Sequence, residues 1–107
     1  MTLPPPILAY FTAETKGDDV ALINAFAPDA AVKDEGRLHV GRHTIEAWWR
    51  AAKAKYQHTV EPLETGVTGD VIRVLARVTG RFPGSPATLT FAFRVEGDQI
   101  TSLEITA

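Results

Sequence analysis

The chain has 107 residues, 45% hydrophobic and 22% charged, the balance of one ordinary globular domain with room for one small-molecule pocket and none for a second functional module. With 11 Lys and Arg against 13 Asp and Glu the net charge is -2, so there is no basic field to collect phosphates, and nucleic acid is not an expected partner. The absence of cysteine excludes disulfides, thiolate nucleophiles and Cys-ligated metals, and no signal-like or membrane-spanning apolar run occurs, so the expectation is a soluble, cytoplasmic protein without membrane contact.

Pro4, Pro5 and Pro6 stiffen the start, and Pro6 suits the first turn of a helix, where its missing N–H is no loss. The i, i+3, i+4, i+7 spacing of Ile7, Tyr10, Phe11 and Glu14 predicts a helix over residues 6–16, stopped by Gly17, with Tyr10 on its buried stripe. Asp18 and Asp19 read as the N-cap and first-turn acid of a second helix, with Val20, Ile23 and Phe26 as its apolar face and Pro28 as its end. Residues 31–40 alternate around Asp34-Glu35-Gly36-Arg37 and predict a short hairpin. The third helix, over 42–56, carries Ile45, Trp48, Trp49, Ala52 and Tyr56 on one stripe. Beyond it the apolar period becomes that of strands, expected over 58–68, 70–82, 87–96 and 99–106 with short Gly- and Pro-rich turns between them. Such turns join antiparallel neighbours, so the class is α+β: an antiparallel meander with three helices packed on one face.

Within 70–82, Ile72, Val74, Ala76, Val78 and Phe82 share one parity, and Arg73, Arg77, Thr79 and Arg81 share the other with Leu75. Leu89, Phe91, Phe93 and Val95 form the inward set of the next run. The in-phase arginines read as cross-strand partners of Glu61, Glu64, Glu96 and Glu104, or as part of a dimer face.

Asp34 has the parity of Val32; if Val32 packs inward, so does the carboxylate. Desolvation raises a carboxyl pKa and makes such a group a better base near neutral pH. The alternative is that Asp34 merely opens a turn, a position Asp favours.

Tyr10 followed by Gly17-Asp18, the run Phe26-Ala27-Pro28-Asp29-Ala30-Ala31-Val32-Lys33-Asp34, and Gly41-Arg42 ahead of Ile45 and Trp48-Trp49 resemble the nuclear transport factor 2-like superfamily, in its SnoaL-like polyketide cyclase and ketosteroid isomerase branch. The resemblance spans nearly the whole chain and implies a cone-shaped, cystatin-like α+β barrel: a curved antiparallel sheet wrapped around three helices, with an apolar cavity open at one end. It also implies a homodimer through the outer sheet face and an apolar small-molecule ligand. Tyr10 matches the branch's oxyanion tyrosine and Asp34 its proton-transferring base. The second oxyanion acid is not matched: its position falls near Phe91, or Thr90 with a one-residue shift, and neither is an acid, which argues against steroid isomerisation specifically. Trp49 stands where a tyrosine supports the oxyanion residue, and its indole donates a hydrogen bond but accepts none.

Trp48, Trp49, Phe91, Phe11 and His58 are the candidate ligand contacts, although adjacent helical tryptophans diverge by about 100° and one of them suits plain core. His58, just after the third helix, is placed to reach the cavity mouth as a second acid or base; His39, with the parity of Lys33, is expected to face out. His39, His43 and His58 have no metal-ligand spacing, so no metal and no cofactor is expected. Two function classes remain. One is a SnoaL-like enzyme in which Asp34 removes a proton beside a carbonyl and Tyr10 bonds the enolate, giving cyclisation, isomerisation or dehydration. The other is a non-catalytic domain that binds a hydrophobic ligand or a protein.

Overall fold

The computed structural model describes residues 2–107. Helix α1 (Pro5–Lys16) starts one residue before its predicted bound, since prolines fill its first positions where no N–H is needed. Gly17, at φ 67°, ends it, and the N–H groups of Gly17 and Asp18 close onto the carbonyls of Glu14 and Ala13. Asp18 then caps α2 (Asp19–Asn24) by accepting the Ala21 N–H at 3.1 Å.

The second helix is shorter than its apolar spacing predicts. Phe26 opens strand β1 (Phe26–Asp34), Pro28 lies inside that strand, and Val20 is 63% exposed while Leu22 carries the buried contact. Tertiary burial overrides a helical period of barely two turns: the Phe26 ring sits edge-on to Tyr10 at 5.9 Å, fully enclosed. Pro28 is tolerated because the ladder shifts register between Phe26 and Ala31, leaving that stretch free of regular pairing.

The remaining elements are β2 (Arg37–Val40), α3 (Arg42–Tyr56), β3 (Thr59–Thr68), β4 (Val71–Thr79), β5 (Ala87–Glu96) and β6 (Gln99–Thr106), close to their expected bounds. They form one six-stranded sheet in the order β2-β1-β6-β5-β4-β3. The meander is antiparallel as expected, but β1 and β6 run parallel, so the sheet is mixed. Register shifts with the extra residues in β1, β3 and β6 bend it into an unclosed curve around the helices, the NTF2-like α+β fold.

Strand β4 ends three residues before its predicted bound, at Thr79. Gly80 is needed there: a Cβ would stand 2.8 Å from the Tyr56 carbonyl oxygen and 3.0 Å from the His58 Cα. The Arg81 N–H bonds that same carbonyl at 2.6 Å, fastening the end of α3 and the approach to His58 onto the sheet.

Val74, Ala76, Val78, Phe91 and Phe93 point inward as their parity predicts, and meet Ile7, Tyr10 and Phe11 of α1. On the opposite face Arg77 lies 2.8 Å from Glu61, its directly opposed neighbour on β3, and Lys33 and Glu104 pair at 3.8 Å. The first pair fits the cross-strand reading for Arg77, whereas Glu104 meets Lys33 and not an arginine; both pairs are exposed and each worth little. No helix among the described residues is long and apolar enough to cross a membrane.

Candidate functional site

Between α3 and the concave face of the sheet lies a cavity of about 520 Å³. Trp48, Trp49, Ala52 and Tyr56 supply its helical wall, Leu89 and Phe91 part of its sheet wall, and Tyr10, Asp34 and His58 its polar groups.

Asp34 is the last residue of β1 and lies opposite Arg37 across the hairpin. Its neighbour Val32 is fully buried, and Asp34 does line the cavity, as the shared parity requires. The indole Nε1 of Trp48 donates to Oδ2 at 3.1 Å, which fixes the carboxylate's orientation and leaves Oδ1 free of that bond. Burial raises its pKa, and the Glu35 charge adds to the rise, against the opposing effects of the Trp48 bond and of His39.

His39 does not face out. It is the direct partner of Val32 and shares the inward face, with its ring 6.0 Å from that of Trp48. Parity does not carry across this turn, because a two-residue connection pairs even-numbered residues of one strand with odd-numbered ones of the next. Glu35 and Gly36 both have positive φ, 53° and 74°, the signature of a primed hairpin turn.

Tyr10 is held by edge-on contacts with Phe11 at 5.1 Å and Phe93 at 5.6 Å. Its hydroxyl has no protein partner among the described residues. Since no sealed side-chain polar atom among them lacks one, that hydroxyl opens to the cavity its residue lines. Burial pushes its pKa well up, and the Glu14 and Asp34 carboxylates push it the same way, so the phenol stays protonated and available as a donor.

Sequence reasoning missed Glu14 as a site residue. It is the last position of the α1 stripe and only 3% exposed, an unusual setting for a carboxylate. Trp49 Nε1 and Lys53 Nζ both donate to it, His58 Nε2 lies 3.2 Å from Oε1, and Lys53 also holds the His58 carbonyl at 2.6 Å. Burial alone would raise the Glu14 pKa; the bonds from His58, Lys53 and Trp49 outweigh it and hold the group below the usual range, so it is ionised at neutral pH. An acid on an apolar stripe, with Trp49 and Lys53 one turn apart on another helix, was the available signal.

Trp49 therefore engages Glu14 through its indole, and both tryptophans line the cavity. Phe91, not Thr90, occupies the inward position, 6.4 Å from the Tyr10 ring centre to centre, so no acid stands there. Phe11, expected at the ligand, is not among the cavity-lining residues: its ring packs 5.6 Å from Phe91 and 5.8 Å from Phe93, inside the core. Its position on the α1 stripe, beside Tyr10 and not one turn from it, turns it away from the opening. Among the described residues no group of three His, Asp or Glu side chains is arranged to hold a metal ion.

The SnoaL-like domain profile matches residues 7–103, and the chain belongs to that family. A candidate polyketide cyclase from Sinorhizobium meliloti is similar in structure, with a TM-score of 0.94, 48% identity and coverage of 97% of this chain and 95% of that one. A Catenulispora acidiphila protein with a ketosteroid isomerase-like fold, in complex with trimethylamine, has a TM-score of 0.84 at 26% identity, covering 99% of this chain and 87% of that one. A Mycobacterium tuberculosis protein in complex with estradiol-17β-hemisuccinate shares the fold, with a TM-score of 0.78 at 17% identity over 96% of this chain and 93% of that one. A comparison with curated proteins finds no match.

Proposed function

We propose that the protein is a small-molecule enzyme of the SnoaL-like type, acting on an apolar carbonyl compound by proton abstraction. The observation that carries this reading is one cavity lined by both a carboxylate of raised pKa and a phenol open to it. Asp34, oriented by Trp48, takes a proton from the carbon next to the carbonyl, and charge develops on the carbonyl oxygen. Tyr10 O–H donates to that oxygen. Return of the proton at another carbon, attack of the enolate on a second carbonyl, or loss of a β-hydroxyl gives isomerisation, cyclisation or dehydration. Support also comes from the 48% identical S. meliloti protein, a candidate polyketide cyclase. With Phe91 in place of a second oxyanion acid, the reading is a cyclase or dehydratase before a steroid isomerase. A panel of polycyclic ketones tests it: deuterium exchange next to the carbonyl should be catalysed by the wild type and not by Asp34→Asn. Binding without exchange by either would contradict the reading.

A second reading is a non-catalytic domain holding an apolar ligand in the same cavity, favoured by the unmatched acid at Phe91 and by the steroid ester bound in the M. tuberculosis neighbour. In either reading the protein acts in the cytoplasm as a homodimer through the outer sheet face, where Leu75 sits between Arg73 and Arg77. Sedimentation at tens of micromolar tests the dimer, and a monomer there rejects it. Because Arg77 already pairs with Glu61 within the chain, the dimer is expected to weaken only modestly with salt.

A further inference from the structure

The cavity holds a polar group that proton abstraction at Asp34 does not use. His58 is anchored from two sides: Nε2 lies 3.2 Å from Glu14 Oε1, and its carbonyl accepts from Lys53 at 2.6 Å. Gly80 packs against its Cα so closely that a methyl group would not fit, which fixes the backbone as well. Glu14 is ionised and accepts hydrogen bonds only, so the His58 nitrogen facing it carries a proton. In the neutral ring the other nitrogen, Nδ1, is then a bare acceptor. It has no protein partner among the described residues, and no sealed side-chain polar atom among them lacks one, so Nδ1 reaches open space, and His58 lines the cavity. Tyr10 lies one helical turn from Glu14 on the same face of α1, which puts this acceptor near the Tyr10 donor.

The geometry points to His58 as the specificity-determining residue of the cavity: its Nδ1 accepts a hydrogen bond from a hydroxyl of the ligand, so the compound that fits carries a phenolic or enolic hydroxyl in addition to its carbonyl. The assignment rests on the proposed small-molecule reading and narrows its substrate class. Glu14 is the positioning residue that sets the tautomer, and Lys53 and Trp49 hold Glu14 in turn. An acceptor fixed in place discriminates between ligands, because one without a donor leaves Nδ1 desolvated and unpaired.

The test compares binding of 2-naphthol and 2-methoxynaphthalene, two compounds differing only in the donor, by quenching of the cavity tryptophans. Wild type should prefer the naphthol by about five- to tenfold, the size of one net hydrogen bond. His58→Phe should bring the ratio to about one with little change for the ether. A preference that survives His58→Phe overturns the assignment to His58 and leaves the cavity reading standing. Binding of neither compound overturns both. Nitrogen-15 NMR of the wild type at the pH of the binding assay is independent of any ligand or variant: the Nε2–H tautomer of His58 is expected, and the Nδ1–H tautomer or a ring protonated on both nitrogens would refute the proposal on its own.

Discussion

The hairpin side and the α1 side of the cavity each bury a carboxylate, and the two are treated in opposite ways. Asp34 receives one indole bond, has an acidic neighbour in Glu35, and is raised by burial. Glu14 is more deeply enclosed, yet Trp49, Lys53 and His58 surround it and lower it. Burial is the largest influence on both, so what separates them is the number and charge of the donors that face them. The poorly compensated carboxylate is suited to take up a proton; the well compensated one is suited to hold other groups in place.

The comparison breaks first at catalysis. Asp34→Asn removes the base while keeping size and an acceptor for Trp48, and should reduce turnover of a substrate by about 10²- to 10⁴-fold with binding largely intact. Tyr10→Phe should reduce it by on the order of 10²-fold, with little loss of stability because the hydroxyl has no protein partner to leave behind. Equal turnover in wild type and Asp34→Asn would remove the distinction between the two sites.

Stability should show the reverse ranking. Glu14→Ala leaves Lys53 and His58 facing an empty space and should cost roughly 2–4 kcal/mol in chemical denaturation, less than a sealed pair because the Lys53 head is partly open to water. Because the folded pKa of Glu14 is lowered, its ionised form stabilises the fold above the unfolded value of about 4.3, and that contribution is lost as pH falls through the folded pKa. Glu14→Gln should therefore differ from wild type most at pH 7 and least in acid.

Asp34 carries the opposite sign and the smaller effect. Its folded pKa lies above the unfolded value of about 3.9, so ionisation opposes folding as pH rises through that window. Asp34→Asn should be more stable than wild type at pH 7, by roughly a few tenths of a kcal/mol for a group half open to water, and no more stable at pH 4. A mutant less stable only at pH 7 would make Asp34 a turn residue.

Much of this was legible locally. The α1 and α3 stripes, the four-strand meander and the inward phase of Asp34 and Tyr10 depend on neighbours within a few residues, and periodicity reads such neighbours well. What escaped depends on contacts across the chain. Phe26 and Pro28 joined a strand because of burial against Tyr10 and pairing with Ile100. His39 turned inward because the turn has two residues, a geometry set by positive φ at Glu35, which is not a glycine. The Glu14 cluster joins α1 to residues 35 and 39 positions further on, a relation that no local pattern carries.

The most direct test of the contrast is a carboxyl carbon-13 NMR titration that follows Asp34 and Glu14 separately in the folded wild type. Asp34 is expected to titrate above the ordinary aspartate value and Glu14 below the ordinary glutamate value. The reverse order, or two unshifted curves, would contradict the division of the cavity into a proton-accepting carboxylate and a positioning one.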